Sequence, residues 1–191
     1  MYPKDPKVDI HEIANFKEDG YALSLATLTM HTDTHLDAPS HLSKSTIQAS
    51  DFPFELMVSD ACVLDVSQSQ DIQLNEQQIQ LIQKHNVVFL YTGWSTYYGS
   101  EQYFKHPVLT VEMAQYLIDA RVKVIAVDTP SVDNAPYPIH HLLFNHGVWI
   151  VENVRIDQQV LSLEKFTAII TPIKINAEAA LTRVLVMEKD A

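Results

Sequence analysis

Apolar positions along the chain switch between two periods, and each switch marks a predicted element. Residues 23–30 alternate apolar with small or polar side chains, the period of two expected of a half-buried strand. Residues 61–66 and 87–91 are short runs rich in β-branched or aromatic side chains and predict two more strands, the second closed by Gly93. Between them, residues 75–85 carry Ile79 and Ile82 at helical spacing, with Asn75 placed as the N-cap. Residues 110–121 repeat that design: Thr110 caps the helix, Glu112 sits in its first turn, and Ala114, Leu117 and Ile118 share one face. Strands are predicted over 122–127, ended by Asp128-Thr129-Pro130, and over 148–154, 168–175 and 183–188. A short helix over 139–146 precedes the 148–154 strand, with Gly147 where a left-handed residue ends a helix. Helices falling between strands predict one α/β domain, residues 1–191, around a mixed sheet.

A chain of 191 residues, 47 % hydrophobic, is long enough for one packed core. No apolar run approaches the length of a membrane span, and no basic stretch leading into an apolar segment opens the chain. The expectation is a cytoplasmic protein with no membrane partner. Asp and Glu number 24 against 13 Lys and Arg, for a net charge of −11. Such a surface repels phosphate backbones and argues against a nucleic-acid partner. The acidic excess reads equally as solubility or as carboxylates neutralised at a cation site. Cys62, the single cysteine, lies in an apolar run and reads as a buried structural thiol. With one cysteine there is neither an intrachain disulfide nor a thiolate zinc site, so any metal falls to carboxylates and the nine histidines.

The chemistry concentrates in His31-Thr32-Asp33-Thr34-His35-Leu36-Asp37-Ala38-Pro39-Ser40-His41. His31, Asp33, His35, Asp37 and His41 all occupy odd positions, so in an extended chain they project to one side. A helix would also bring His31 and His35 together but would turn Asp37 away, and Pro39 favours the extended form. A row of imidazoles and carboxylates is costly to bury without a cation and becomes a ligand set with one. Nitrogen and oxygen donors suit Zn²⁺ or Mn²⁺. His-x-x-x-His alone is a weak pattern; extended to Asp37 and to Pro39-x-His41 it is far more specific. Glu152 lies inside the otherwise apolar 148–154 run and needs a partner there, such as a metal, unless it is an edge-strand glutamate facing water.

The segment resembles the signature of the cyclase-like family of metal-dependent hydrolases, which includes bacterial kynurenine formamidase and isatin hydrolase: His-x-Gly-Thr-His-x-Asp-x-Pro-x-His. Tyr2-Pro3-Lys4-Asp5-Pro6 resembles the family's opening Pro-Gly-Asp-Pro. Tyr91-Thr92-Gly93-Trp94, Asp128-Thr129-Pro130-Ser131-Val132-Asp133 and the stretch from His140 to Glu152 are similar to further family blocks, in the same order. The resemblance implies the swivelling β/β/α fold, often as a homodimer. It implies His31, His35, Asp37, His140 and Glu152 as ligands of one or two divalent ions, Zn²⁺ ahead of Mn²⁺, with Asp37 and Glu152 able to bridge. It implies His41 as the catalytic acid/base. The spacing to Gly147 in the family pattern selects His140 over its neighbour His141, which is left as a supporting or surface residue. His146, in the last helical turn, suits the helix dipole. His11, His85 and His106 have no constellation around them.

Two departures stand out. Asp33 replaces the family glycine, where it would add a ligand, occupy substrate space or turn outward. The chain also begins at the opening block, without the strand that usually precedes it, and Lys4 replaces a glycine there. The activity implied is metal-assisted hydrolysis of a small amide, with N-formylkynurenine the first candidate substrate and cyclic amides such as isatin, or lactones, the alternative. No Gly-x-Ser-x-Gly context supports a serine nucleophile. Trp94, Tyr97, Tyr98, Tyr103 and Phe104 suit an aryl pocket or, equally, core or dimer packing. A noncatalytic metal-dependent binder and a purely structural metal site are the competing classes.

Overall fold

The computed structural model describes the chain apart from residues 1, 3, 4, 68–70, 73, 164, 165, 190 and 191, and gives only the backbone of 71 and 72. Pro3 and Lys4 of the opening block therefore lie outside the described residues. The chain opens with a hairpin, β1 (Asp9–Ala14) and β2 (Leu23–Thr27), around a short helix α1 (Phe16–Asp19). Then come β3 (His35–Asp37), α2 (Phe54–Met57), β4 (Val58–Asp65), β5 (Asp71–Ile72), α3 (Glu76–Ile82), β6 (Val87–Tyr91), β7 (Val108–Leu109) and α4 (Val111–Asp119). The rest is β8 (Val124–Val127), α5 (Pro138–Asn145), β9 (Trp149–Glu152), α6 (Gln158–Leu161), β10 (Phe166–Pro172) and β11 (Ala179–Glu188).

The mixed sheet expected from the sequence closes into a barrel in the order β10-β11-β3-β9-β8-β6-β4. The run β4-β6-β8-β9 is parallel, and the remaining pairings are antiparallel. Strands β6 and β8 are apolar without interruption because both of their faces are buried. Val87, Phe89, Val124 and Ala126 join Leu36, Val151 and Phe166 in one cluster. Val88, Leu90, Ile125, Val127 and Ile150 pack with Met113 and Leu117 of α4 and with Ile139 and Leu143 of α5. The barrel wall thus separates an inner core from a helix-covered outer one, and β3 contributes Leu36 to the inner side.

Local signals placed most elements well. The Asn75 side chain accepts from the Gln78 N–H and the Thr110 hydroxyl from the Met113 N–H, so both caps are as expected. Gly147 follows α5 at φ 72°, and the His146 imidazole bonds the Leu142 carbonyl in the last turn. Cys62 is buried, and burial pushes its thiol up to about 12. The predicted 23–30 strand is a correction. Only 23–27 is a strand, and it pairs with β1 outside the barrel rather than joining the sheet. Its period of two is real, but both faces of the hairpin are open: Ile10, Ile13, Leu23 and Leu25 are 65, 55, 47 and 48 % exposed. No helix among the described residues is long and apolar enough to cross a membrane.

Candidate metal centre

Strand β3 lies between β9 and β11, and its register fixes half of the site. His35 stands opposite Glu152, and Asp37 opposite Ile150. Residues opposite each other in a ladder share a face, as do His35 and Asp37 by their spacing of two. Leu36 takes the inner face, so His35, Asp37 and Glu152 emerge together on the helix side of the wall. Helix α5 delivers His140 to the same face. Asp133 accepts from the N–H groups of Ile139 (2.6 Å) and His140 (3.3 Å) through one oxygen, and from His140 Nδ1 at 2.6 Å through the other. That double duty caps the helix and turns His140 Nε2 inward, 3.2 Å from Glu152 and 3.7 Å from Asp37. His35 is oriented likewise: its Nδ1–H donates to the Asp33 carbonyl at 2.7 Å, leaving Nε2 3.2 Å from Asp37 and 3.6 Å from Glu152.

His31 arrives from the turn after β2. Its Nδ1 lies 3.0 Å from Asp37, and its Nε2 3.5 Å from Glu178. His41 sits in the loop beyond β3, its ring 4.2 Å from that of His31 and 6.1 Å from that of His140. Asp37 is the hub, wholly buried among three imidazoles.

The electrostatics follow from that packing. Burial is the largest influence on Asp37 and disfavours its charge, yet His35, His140 and His31 together overcome it and hold the carboxyl well below the usual carboxylate range. Burial likewise opposes a charged His35, but Asp37 and then Glu152 raise it to about 9. His140 is raised well above its ordinary value: burial opposes this and is overcome by Asp133, Asp37 and Glu152. His41 goes the other way, because its burial is only partly offset by Asp37 while His31 and His140 repel added charge.

Four buried atoms of this cluster have no hydrogen-bond partner: His31 Nε2, His35 Nε2 and both Asp37 carboxylate oxygens. Orphaned buried donors and acceptors are rare, and a group of them converging on one point fits a cation. Two sets of ligand atoms, His31-Asp37-His41 and His35-Asp37-Glu152, each converge closely enough to hold an ion, and Asp37 belongs to both. Nitrogen with carboxylate oxygen is a donor set for Zn²⁺ or Mn²⁺.

The cluster forms the floor of a cavity of about 700 Å³. Its walls include Tyr2, Tyr137, Leu42, Asn153 and Glu178. None of these was singled out in the sequence. Tyr2 is in the opening block, but a pocket role needs the chain to fold back over the site. Asp133 lies in a recognised block but five residues before Pro138 opens α5, so its bonds to the first turn depend on the loop folding back. Glu178 comes from the β10–β11 connection and carries no local signal.

Three further candidates, each of which the sequence left open between a site role and another, contribute no ligand atom. Asp33 adopts φ 52°, which turns its side chain outward to the Tyr98 hydroxyl, so it contributes its carbonyl but no ligand atom. The one-faced reading of 31–41 holds only for the strand 35–37. Trp94 does not line the cavity; its indole N–H donates to the Tyr103 carbonyl at 2.9 Å, and the aromatic group packs on itself. His141 is exposed, and its Nδ1–H donates to the Leu42 carbonyl at 2.5 Å, tying α5 to the loop that carries His41.

The model of the family described as putative cyclase matches residues 3–134. The chain is 34 % identical over 154 residues to the kynurenine formamidase of Bacillus cytotoxicus, covering 77 % of this chain and 72 % of that protein. It is 31 % identical over 153 residues to the kynurenine formamidase of Bacillus cereus, with the same coverage of 77 % and 72 %. Among solved structures, isatin hydrolase A from Labrenzia aggregata superposes with a TM-score of 0.82 at 23 % identity, over 99 % of this chain and 86 % of that one. A predicted metal-dependent hydrolase from Bacillus stearothermophilus gives 0.79 at 23 % identity, over 97 % and 90 %. The family match ends before His140 and Glu152, which the geometry brings to the 31–41 segment.

Proposed function

The chain belongs to the putative cyclase family, and from that membership we propose that it is a cytoplasmic, metal-dependent hydrolase of small amides. Its C–N bond is non-peptide, and the reaction is the arylformamidase one: N-formylkynurenine to kynurenine and formate. The relatives named kynurenine formamidase support the substrate. The observation that carries the reading is the group of orphaned buried atoms around Asp37 on the floor of the cavity.

His31, His35, Asp37, His140 and Glu152 would hold one or two divalent ions, Zn²⁺ first and Mn²⁺ second, with Asp37 shared. Such an ion, when bound, supplies Lewis acidity, easing deprotonation of water and polarising a carbonyl. His41 has a base's task. Its depressed pKa keeps the imidazole neutral at pH 7, so it can take a proton from the attacking water and pass it to the leaving aniline nitrogen. Asp133 and the Asp33 carbonyl hold His140 and His35 in the tautomers that present Nε2 to the centre. The whole of residues 1–191 acts as one hydrolase domain.

The test is hydrolysis of N-formylkynurenine by purified protein reloaded with Zn²⁺ or Mn²⁺. Turnover is expected with metal and none after chelation. Protein that holds metal and turns nothing over would overturn the formamidase reading in favour of a cyclic amide or lactone substrate, or of a noncatalytic binder.

The reading includes a homodimer, supported by the β1–β2 hairpin. A two-stranded hairpin is marginal alone in water, and this one leaves Leu23 and Leu25 open on one face and Ile10 on the other. Light scattering is expected to give the mass of two chains for the wild type and one for Leu25→Glu. A wild-type monomer would refute it.

A further inference from the structure

Asn153 follows the ligand candidate Glu152 and lies in the cavity wall, yet the mechanism above does not use it. Its backbone is in the left-handed region at φ 57°, which asparagine tolerates better than most residues. Each of its polar groups but one is occupied. The N–H donates to the Thr129 carbonyl at 3.0 Å, and the carbonyl accepts from the Thr34 hydroxyl at 2.7 Å. The side-chain oxygen accepts from the Tyr103 hydroxyl at 2.9 Å. Tyr103 is itself fixed: it is 3 % exposed, edge-on to both Tyr98 and Phe104, and its carbonyl takes the Trp94 indole N–H. What remains is the Nδ2 amide, which has no hydrogen-bond partner among the described residues.

A side chain whose acceptor is clamped and whose donor is left open in a cavity wall is preorganised to bind an acceptor. The positive φ alone would be met at least as well by glycine, so it does not explain the amide or its clamp. We infer that the Asn153 side-chain amide donates to the carbonyl oxygen of the substrate amide, and binds it more tightly as that oxygen gains negative charge. This rests on the hydrolase reading and adds a residue to it. Tyr103 acts through Asn153 as a positioning residue, holding the amide so that nitrogen faces the cavity.

Asn153→Gly removes the amide and keeps the backbone free to adopt φ 57°; Asn153→Asp keeps the shape but replaces the donor with an acceptor. With metal-loaded protein and N-formylkynurenine, Asn153→Gly is expected to lower kcat on the order of 100-fold, with KM within about threefold. Asn153→Asp should lower kcat further, because a carboxylate repels the developing oxyanion. Metal content, measured alongside, should match the wild type for Asn153→Gly, while its melting temperature should fall, because the buried Tyr103 hydroxyl loses its acceptor. Unchanged kcat in Asn153→Gly, with wild-type turnover intact, would overturn this assignment and leave the hydrolase reading standing. A rise in KM with kcat unchanged would also overturn it, by moving the contact to an oxygen away from the reaction. A wild type inert towards the substrate would remove both.

Discussion

Asp37→Asn is expected to abolish turnover and to weaken metal binding by more than about 100-fold, beyond the 10- to 100-fold typical of changes to residues that only support a ligand. Asp37 oxygens lie 3.0 Å from His31, 3.2 Å from His35 and 3.7 Å from His140, and neither oxygen has another partner. The substitution turns one of them into an NH₂ donor aimed at the centre and removes the charge that the imidazoles and any cation share. Asp133→Asn, which leaves the centre's own atoms in place, should stay within the smaller range. Metal content after dialysis against graded chelator separates the two; equal losses would deny Asp37 its central place.

The metal-free protein offers a second readout of the same substitution. His35 is raised to about 9 by Asp37, so its contribution to stability is complete below the unfolded value of 6.5 and fades as pH rises through about 9. Asp37, held low, contributes above the ordinary carboxylate range and loses that contribution as pH falls. Chelated Asp37→Asn should therefore melt below chelated wild type near pH 5.5, and the gap should close above about pH 9. A gap that widens with pH would contradict the ion-pair account.

His41→Ala is expected to lower kcat by about 10² to 10⁴, the usual worth of a positioned general acid or base, while metal content stays at the wild-type level. The second half decides between two roles. His41 lies close enough to His31 and Asp37 to complete a ligand set of its own, and a ligand's loss would remove an ion. As acid/base it leaves the ions in place. Its lowered pKa puts the acidic limb of kcat/KM below pH 6.5, since the base form survives to lower pH. That limb should vanish in the variant. Loss of metal would reassign His41 to the ligands.

Much of this centre was legible in the sequence because its donors are close along the chain. His35 and Asp37 needed only the strand's period of two, and Glu152 was conspicuous as one carboxylate in an apolar run. Asp33 shared the odd-numbered positions but broke the pattern, because the strand begins only at His35 and φ 52° reverses the side chain. The aromatic run from Trp94 to Phe104 was ambiguous for a related reason: composition shows that rings are present, not which of them reach a cavity.

The local code by itself determined where α3 and α4 start, where β6 runs, and which residue types could bind a cation, since caps, periodicity and donor chemistry act within a few residues. Only the tertiary structure decided that the sheet closes, that β3 inserts between β9 and β11, and that His35 therefore faces Glu152 across a ladder spanning more than a hundred positions. It also decided which groups become orphaned. Burial is a property of the closed barrel and its helix layer, and burial turns a row of polar side chains into a site that needs a cation.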